Sequence, residues 1–442
     1  MGHCLSTRRP QQAPPEAGLP EHRGHTDFYE RLIRKLLRPI GVHFRPKMDK
    51  VTRRVGHVSA NYEDKFIIVW GGYAKREVDQ SYYEPDEVSL YIPLHQNVVT
   101  YKTFEEHPKA ASGATAVIHG NYFYIIGGFA KDLQTFFNPH VNEIHRLHVT
   151  DMVWKKLEPK LVNGPTYLKA DKLSSWIYDD QIYIFGGYGF APFDEVEFPR
   201  CVSHVLDPEN PRGIRRGWNN QLCKYDIARN AIYWPTVSGD VPSPRAAQAA
   251  CCDPKEGLVY LFGGRCCDRR LNDMYIGCIK SHDCVIWKQV EFPEDVVNDS
   301  LRYPCGRSWH SLTKLSDHHL LLYGGFDQDQ NVLNDCWLFN IELQTWSKLE
   351  HLEKEPRLWH TAHYLPSLAS VYLLGGMSKN IFRDFPNMHP ESVDKLLISP
   401  QSLYQLTLEV VVKQHKSFKN QLPFLPRQLQ SQIHSRRQLI QL

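Results

Sequence analysis

Two arginines in one short loop have the chemistry to hold a negatively charged ligand. Arg265 and Arg270 lie five positions apart in the segment GRCCDRR, which begins at Gly264. A guanidinium group stays charged, and its forked donors match the two oxygens of a carboxylate. Because both side chains can face one point across so short a loop, the pair favours a carboxylate-binding site. The alternative is a surface ion pair with Asp268 or Asp273, the commoner role of an arginine beside an aspartate.

A serine and a tryptophan farther along the chain would suit the same site. Ser308 and Trp309 stand in the segment GRSWH at residues 306–310. The hydroxyl can add a hydrogen bond, and the indole can form a wall that admits only small side chains. Arginines recur at matching turns, namely Arg245, Arg307 and Arg357. We interpret these three as repeat architecture and exclude them from the site.

No residues of this sequence are spaced for catalysis. It has no G-x-S-x-G turn, phosphate-binding loop or H-E-x-x-H helix, so nucleophilic, phosphoryl-transfer and metalloprotease chemistry have no candidate residues. A copper oxidase centre needs Tyr, His and Cys clustered on one rim, but the 22 histidines are scattered. His57, His310 and His360 occupy matching turns and are interpreted as structural, and the vicinal cysteine pairs lack metal-ligand spacing. We expect neither enzyme activity nor a cofactor.

The composition narrows the class of partner. The charged fraction is 23% and the formal net charge is +3, so there is no overall basic field for nucleic-acid binding. The sequence has neither a run of about 18 apolar residues nor a secretory signal, which predicts a cytoplasmic and nuclear protein. The 11 cysteines do not have the spacing of a small disulfide-rich domain and are expected to be reduced.

Six glycine pairs divide most of the chain into repeats. Each ends an apolar, β-prone run, as in FIIVWGGY and LVYLFGGR, and the first glycines are spaced by 56, 59, 77, 61 and 51 residues. This spacing is near the kelch period of about 50 residues. A buried strand that meets a bend with positive φ explains each pair. We therefore expect each pair to close an inner strand.

Two further markers keep the same order within the repeats. Tryptophans follow the glycine pairs and are predicted to anchor outer strands between neighbouring blades: Trp154, Trp234, Trp287 and Trp346. Turns that carry arginine, such as RVGH at residues 54–57 and PRLWH at residues 356–360, precede the pairs. The whole pattern resembles the kelch repeat over about residues 50–398.

The resemblance implies an all-β fold, a six-bladed kelch β-propeller over residues 47–399 followed by a short α-helical segment. One blade cannot bury both faces of its sheet, so six blades must pack radially around a channel and leave two loop-rich rims. Binding is expected on a rim. The last glycine pair is followed by one clear strand candidate, around residues 394–398, so an N-terminal strand near residues 48–54 is expected to close the ring.

The N-terminal extension, residues 1–46, is polar and proline-containing, which predicts disorder. A short amphipathic helix is expected at residues 28–37. Gly2 and Ser6 fit a myristoylation pattern, with Cys4 as a second acylation site. The alternative, which we favour, is a chance match, and membrane contact depends on acylation of Gly2.

Residues 400–442 are predicted to be helical. Leu403, Leu406 and Val410 share one helical face, although the adjoining valines make a strand the alternative. Farther on, Leu429 and Ile433 lie one turn apart behind Pro426. These apolar faces must be buried either against the ring or in another protein, and we favour a partner.

These C-terminal segments resemble docking motifs. SLYQLTL is similar to the elongin-binding box, with Ser402, Leu403, Leu406 and Thr407, the last where a Cys or small residue is usual. LPRQLQSQI is similar to the cullin box, with Leu425, Pro426, Leu429 and Ile433. The whole chain resembles the kelch-repeat substrate receptors of cullin-2 RING ubiquitin ligases, the family of kelch domain-containing proteins 1 and 2. The implied partners are elongin B, elongin C, cullin-2 and its RING subunit.

The resemblance also implies a ligand and a site. Members of this family bind substrate proteins that end in Gly-Gly and recruit them for ubiquitination. By that resemblance Arg265, Arg270 and Ser308 hold the terminal carboxylate. The last backbone groups are held or enclosed by four further residues: Lys172, Tyr188, Trp218 and Trp309. The alternative function is a kelch scaffold or adaptor that is not associated with a ligase.

Overall fold

The structure is a computed structural model. It describes residues 48–75, 80–130, 141–164, 169–191, 202–210, 215–281, 283–383 and 387–399, with the shorter pieces 410–411, 418, 420–427, 429–430 and 433–434. Several predictions lie outside these residues: the N-terminal extension with its helix, Gly2 and Cys4, and the elongin-binding box residues Ser402, Leu403, Leu406 and Thr407. Within the described part of the chain, no helix is long and apolar enough to cross a membrane.

The ring consists of six successive sheets, here called blades 1 to 6, whose main strands pair antiparallel in chain order from the innermost outward. Blade 1 has Val58–Tyr62, Phe66–Trp70, Glu87–Ile92 and Asn97–Lys102; blade 2 has Thr115–His119, Tyr122–Ile126, Ile144–His148 and Val153–Leu157; blade 3 has Ser174–Tyr178, Gln181–Phe185, Leu222–Asp226 and Ala231–Tyr233. Blade 4 has Ala249–Asp253, Leu258–Cys266, Arg269–Ser281 and Cys284–Gln289; blade 5 has Ser311–Lys314, His319–Asp327, Val332–Asn340 and Thr345–Lys348; blade 6 has Thr361–Leu365, Ser370–Leu374 and Asp394–Leu397.

Shorter elements decorate the blades. Blades 2, 3 and 4 each have a fifth, outer strand that pairs parallel with the fourth, namely Phe104–Glu105, Lys160–Leu161 and Thr236–Gly239. Rim strands are Tyr73–Lys75 with Gln80–Tyr82, Ala111–Ser112 with Phe129–Ala130, Arg307–Ser308, and a four-stranded sheet above blade 3 made of Ala170–Asp171, Tyr188–Phe190, Arg216–Asn219 and His204–Leu206. In the described part of the chain the short helices with defined bounds are Asp49–Thr52 and Glu294–Val297, single 3-10 turns are Glu350–Leu352, Pro366–Leu368 and Leu422–Phe424, and further helical residues follow Pro426.

The six blades close into a ring. The innermost strand of each blade lies against that of the next, and Val58–Tyr62 of blade 1 lies against Thr361–Leu365 of blade 6. At this last seam the Ser59 hydroxyl donates to Thr361 Oγ1 at 2.6 Å. The all-β kelch propeller expected from the sequence is therefore confirmed.

The predicted closing strand near residues 48–54 is wrong. This segment holds the helix Asp49–Thr52, in which the amides of Val51 and Thr52 both donate to the Met48 carbonyl oxygen. Val51 is fully buried among side chains of blade 1 and blade 6 that include Tyr91 and Tyr372. Since blades 1 and 6 already meet through their innermost strands, the preceding segment has only to cap the seam.

Each glycine pair follows the apolar core of the second strand of its blade, and every glycine of the six pairs has a positive φ. A side chain would also collide here, because a Cβ on Gly72 would lie 2.6 Å from the Val55 carbonyl oxygen. The first two strands of a blade are antiparallel, so the turn before the first strand meets the glycine pair at one end of the ring. We call this end the glycine rim.

The predicted inter-blade tryptophans are confirmed. Trp154, Trp234, Trp287 and Trp346 are all buried. Trp154 packs on Trp70 of blade 1 at 6.1 Å between ring centroids, and Trp287 packs on Phe185 of blade 3 at 5.8 Å. These contacts bury large aromatic surfaces between sheets that are not hydrogen-bonded to each other.

The architectural role of the repeated arginines is also confirmed. Arg54, Arg245, Arg307 and Arg357 are fully buried, and each donates through Nη1 to the carbonyl of the first glycine of a pair, at 2.8–3.0 Å. Arg245, Arg307 and Arg357 also bind Asp273, Asp335 and Asp394. Each guanidinium thus ties a turn to its glycine bend, which leaves it no role in a ligand site.

Candidate functional site

Arg265 and Arg270 face each other across the hairpin that joins the second and third strands of blade 4. They are direct cross-strand partners, so their side chains project from the same face of the sheet. Neither has an acidic partner within 4.0 Å among the described residues, and Asp273 is already held by Arg245 at 2.6 Å. The surface ion pair considered from the sequence is therefore not formed there. The two cations therefore lie side by side with no ion-paired carboxylate among the described residues, and the negative charge of Asp327 acts on Arg270 only from a greater distance.

Burial adds to the electrostatic cost at Arg270. Desolvation, followed by the charge of Arg265, lowers the pKa of Arg270 to about 10. Its Nε donates to the Ser308 hydroxyl at 3.2 Å, and its guanidinium carbon lies 4.6 Å from the centre of the Phe326 ring. Ser308 is fully buried. A carboxylate placed here would relieve the repulsion between the two arginines and accept several charge-assisted hydrogen bonds.

Tyr188 and Trp218 form an aromatic wall on the rim sheet above blade 3. They are cross-strand partners with ring centroids 5.2 Å apart, and the guanidinium carbon of Arg265 lies 5.9 Å from the Trp218 ring. The Tyr188 hydroxyl donates to Asp207 at 2.8 Å. Burial and this bond raise the pKa of Tyr188 to about 12, so the phenol stays protonated. Trp218 is buried, which suits enclosure of a ligand rather than hydrogen bonding.

Lys172 and Trp309 belong to a collar of repeat-equivalent residues at the channel mouth. The collar has one left-handed residue per blade: Gly56, Gly113, Lys172, Ala247, Trp309 and Trp359. From Gly113 to Trp359, the backbone amide of each collar residue donates to the carbonyl oxygen of the preceding collar residue, at 2.6–2.9 Å. The collar therefore fixes where the Lys172 and Trp309 side chains emerge from the ring.

The collar also closes the site on its second side. The Lys172 ammonium lies 5.6 Å from the Tyr188 ring and 5.6 Å from the Trp359 ring, and it forms an ion pair with Asp171. Trp359 stacks on Trp309 at 5.1 Å. All seven site residues predicted from the sequence therefore lie on one closed circuit of contacts: Lys172, Tyr188, Trp218, Arg265, Arg270, Ser308 and Trp309, with Trp359 joining Trp309 back to Lys172.

The sequence reasoning missed one residue of this circuit, Trp359, and one residue that contacts it, Asp207. Trp359 lies in the segment PRLWH, which matches the GRSWH segment of Trp309, and that likeness could have indicated it. Asp207, which accepts the Tyr188 hydroxyl, has no sequence signal because it is brought in by the rim sheet. A cavity of about 200 Å³ adjoins the site at the channel mouth. Lys172, Trp309 and Trp359 line this cavity, whereas the two arginines lie outside it.

The described apolar residues near the C-terminus pack on the other rim. Ile433 is 3% exposed and packs with Leu422, Leu425 and Leu94, which lies in the turn between the third and fourth strands of blade 1. That turn is at the end of the blade opposite to the glycine rim. The predicted helix after Pro426 is present among the described residues, with the Gln430 amide donating to the Pro426 carbonyl at 3.0 Å. Leu429 lies within this helix.

The apolar residues of this segment divide between the ring and the solvent. Ile433 faces the ring, so the preference for burying its side chain in a partner is wrong at this residue. Phe424, in the turn Leu422–Phe424, is 88% exposed and was not singled out from the sequence.

Comparison with known proteins identifies relatives of this architecture. A family profile described as the KLHDC2/KLHL20/DRC7 Kelch-repeats domain matches residues 42–210 and again residues 209–394. The chain is 31% identical over 393 residues to bovine kelch domain-containing protein 2, covering 87% of this chain and 90% of that protein. It is 31% identical over 385 residues to mouse kelch domain-containing protein 1, covering 86% and 89%. The human kelch domain-containing protein 2 is 30% identical over 393 residues, covering 87% and 90%.

Proposed function

We propose a function from one premise: this chain belongs to the family of the KLHDC2/KLHL20/DRC7 Kelch-repeats domain. The protein is a non-enzymatic substrate receptor. Its glycine rim binds the C-terminal Gly-Gly of target proteins, and its C-terminal segment docks on elongins B and C and cullin-2. Through this assembly the target is ubiquitinated and degraded.

The charge of the glycine rim supports this function most directly. Arg265 and Arg270 oppose each other at a partly buried site with no acidic partner among the described residues. Folding gains nothing from two like charges placed directly opposite, which destabilise a sheet. A bound carboxylate supplies the missing negative charge, and the Ser308 hydroxyl adjoins the same point, 3.2 Å from Arg270 Nε.

The walls of the site support a small terminal residue. The Tyr188 and Trp218 rings are 5.2 Å apart on one side, and the stacked Trp309 and Trp359 rings are 5.1 Å apart on the other. Aromatic faces on both sides suit contact with a peptide backbone that carries no bulky terminal side chain. Glycine is the residue that lets a backbone approach such surfaces most closely.

The position of the C-terminal segment supports the docking role. Ile433 packs beside Leu94, on the rim opposite to the arginines, so a bound target and a docked partner would not compete for space. Phe424 is 88% exposed beside this anchored helix and offers an apolar contact to a partner. Aromatic side chains such as Phe are enriched in the cores of protein interfaces.

Peptide titration tests the pocket. The full-length chain is titrated with three labelled peptides that differ only at their ends: Gly-Gly, Gly-Ala and Gly-Gly amide. We expect the Gly-Gly peptide to bind most tightly, because it alone keeps both the carboxylate and the smallest terminal residue. Equal affinity for all three would refute the pocket.

Co-purification tests the docking. The native chain and the variant Leu403→Asp are each expressed with elongins B and C. We expect the native chain to recover both elongins and the variant to recover neither, with peptide binding as the control for folding. Undiminished recovery by the variant would favour the second candidate, a kelch scaffold. The burial of Ile433 against the ring is the observation that favours a scaffold, because it withdraws one predicted docking side chain.

A further inference from the structure

The rim sheet above blade 3 continues beyond the aromatic wall of the site. Its register pairs Phe190 with Arg216, just as it pairs Tyr188 with Trp218. Residues two apart on a strand share a face, so Phe190 and Arg216 lie on the same face as Tyr188 and Trp218. Two strand residues span about 6.6 Å, and the second pair therefore stands that much farther along the wall.

Arg216 is held in place with no ion-paired acid among the residues that the structure describes. Its guanidinium carbon lies 4.9 Å from the centre of the Phe190 ring, and its backbone carbonyl accepts the Asn210 side chain at 2.9 Å and the Asp207 amide at 2.8 Å. Among the described residues no acid lies within 4.0 Å of it, and its buried Nε has no hydrogen-bond partner. The carboxylate of Asp207 instead accepts the Tyr188 hydroxyl at 2.8 Å.

The spacing of this wall matches an extended peptide. An extended chain rises about 3.3 Å per residue, so two strand residues of the wall correspond to about two residues of a bound tail. The Trp218 ring lies 5.9 Å from the guanidinium carbon of Arg265, which puts it beside the last two residues of a tail whose carboxylate contacts that arginine. Arg216 would then stand beside the third or fourth residue from the end.

We propose that Arg216 and Phe190 form a specificity subsite for an acidic side chain at the third or fourth position from the C-terminus of the bound protein. This inference rests on the proposed function, because it places the terminal carboxylate at Arg265 and Arg270. Contact with the Phe190 ring at 4.9 Å positions the Arg216 guanidinium, whose N–H groups can donate to a Glu or Asp carboxylate. A Lys or Arg at the same position of the tail would be repelled.

A peptide series tests the subsite on the full-length chain. The peptides end in Gly-Gly and carry Glu, Gln or Lys at the third or at the fourth position from the end. At one of the two positions we expect the Glu peptide to bind about 3- to 10-fold more tightly than the Gln peptide, and the Lys peptide more weakly than both. In Arg216→Gln we expect the difference between the Glu and Gln peptides to fall below about two-fold.

The matched control is Arg229→Gln. Arg229 carries the same charge and belongs to blade 3, but its exposed side chain forms an ion pair with Asp226. It lies in the turn before the fourth strand of the blade, on the opposite rim. The preference for Glu should persist in this variant. Equal binding of the Glu and Gln peptides by the native chain, or a preference that survives Arg216→Gln, would overturn the subsite. The proposed function fails separately, if Gly-Gly amide peptides bind as tightly as the acids.

Discussion

The two residues Arg265 and Arg270 are expected to favour ligand binding and to destabilise the free protein. Their cross-strand pairing brings like charges together on a partly buried hairpin, where desolvation and the neighbouring charge lower the pKa of Arg270. Like charges in this arrangement destabilise a sheet by a few tenths to about 1 kcal/mol. The pair is therefore expected to cost stability in the free protein and to recover it when an anion binds.

Replacing one arginine should separate these two effects. In Arg270→Gln we expect the affinity for a Gly-Gly peptide to fall by about one to two decades, since a charge-assisted hydrogen bond contributes roughly 1.5–3 kcal/mol. The melting temperature of the free protein should stay the same or rise, because the repulsion from Arg265 is removed. Fluorescence polarisation and differential scanning fluorimetry measure the two quantities.

The neighbouring Arg269 provides the control for this substitution. It lies in the same hairpin, is exposed and pairs across the strands with Cys266 rather than with an arginine. Arg269→Gln should change the peptide affinity by less than about two-fold. A comparable loss in Arg269→Gln would mean that general positive charge, rather than the facing pair, attracts the ligand.

Residue chemistry pointed to Arg265, Arg270, Ser308 and Trp309, whereas the family resemblance alone implied Lys172, Tyr188 and Trp218; the repeat explains why these positions meet. Lys172 and Trp309 precede the first strand of a blade, whereas Tyr188 and Arg265 follow a glycine pair, and antiparallel strands bring both kinds of turn to one rim. What the sequence could not supply was the long-range pairing within the rim sheet. Asp207 and the Phe190–Arg216 pair depend on that register, which no short motif records.

Among the secondary-structure elements, the buried arginine of a turn stabilises its blade by binding a glycine carbonyl and an aspartate. Arg307 binds Asp335 at 2.6 Å and the Gly324 carbonyl at 3.0 Å, and it is fully buried. In Arg307→Met we expect the free energy of unfolding to fall by about 3–5 kcal/mol, because Asp335 is left as an uncompensated buried charge. Urea unfolding followed by tryptophan fluorescence measures this loss.

An exposed ion pair is the matched control for that loss. Arg302 binds Asp295 at 3.1 Å, and both side chains are more than half exposed. Arg302→Met should change the free energy of unfolding by no more than about 0.5 kcal/mol. Similar losses in both variants would contradict the assignment of Arg307 to the architecture of the ring.

The recurring histidines predict how stability depends on pH. Burial, followed by the neighbouring buried arginine, lowers the pKa of His310 and of His360 to about 3. The unfolded chain binds protons at these positions below about pH 6.5, whereas the folded chain does not until about pH 3. The contribution of these neutral histidines to the free energy of unfolding should therefore be complete above pH 6.5. It should decrease as the pH falls from 6.5 towards 3.

His310→Gln isolates one of these contributions. The glutamine amide can still donate to the Phe262 carbonyl, which His310 Nε2 contacts at 3.1 Å. Between pH 6 and pH 4 the variant should lose stability less steeply than the native chain, by up to about 1.4 kcal/mol per pH unit. His351→Gln, at an exposed position, is the control and should leave the slope unchanged. An unchanged slope in His310→Gln would refute this account.

Regular elements were predictable where the repeat markers are dense. The glycine pairs, the inter-blade tryptophans and the strand Asp394–Leu397 all lie where the pattern indicates them. The closure of the ring could not be predicted from the sequence, because residues 48–54 contain too few apolar residues to distinguish a strand from one helical turn. Val51 is the one fully buried apolar residue of this segment, and its packing at the seam selects the helix Asp49–Thr52.

The whole molecule separates its two proposed tasks onto opposite rims. The arginine pair lies on the glycine rim, and the C-terminal helix packs beside Leu94 on the other. We expect Phe424→Asp to reduce the recovery of the docking partners while the peptide affinity changes by less than about two-fold, and Arg270→Gln to do the reverse. Measuring both quantities on both variants tests this separation. Coupled losses would mean that the two rims do not act independently.

Whether the arginine pair binds a terminal carboxylate is tested by a thermodynamic cycle on Arg270 and the carboxylate of the ligand. The affinities of a Gly-Gly acid and its amide are measured for the native chain and for Arg270→Gln. The account predicts that the native chain binds the acid about 10- to 100-fold more tightly than the amide, and that the substitution removes most of this preference. Equal binding of acid and amide by the native chain, or a preference untouched by Arg270→Gln, would contradict it.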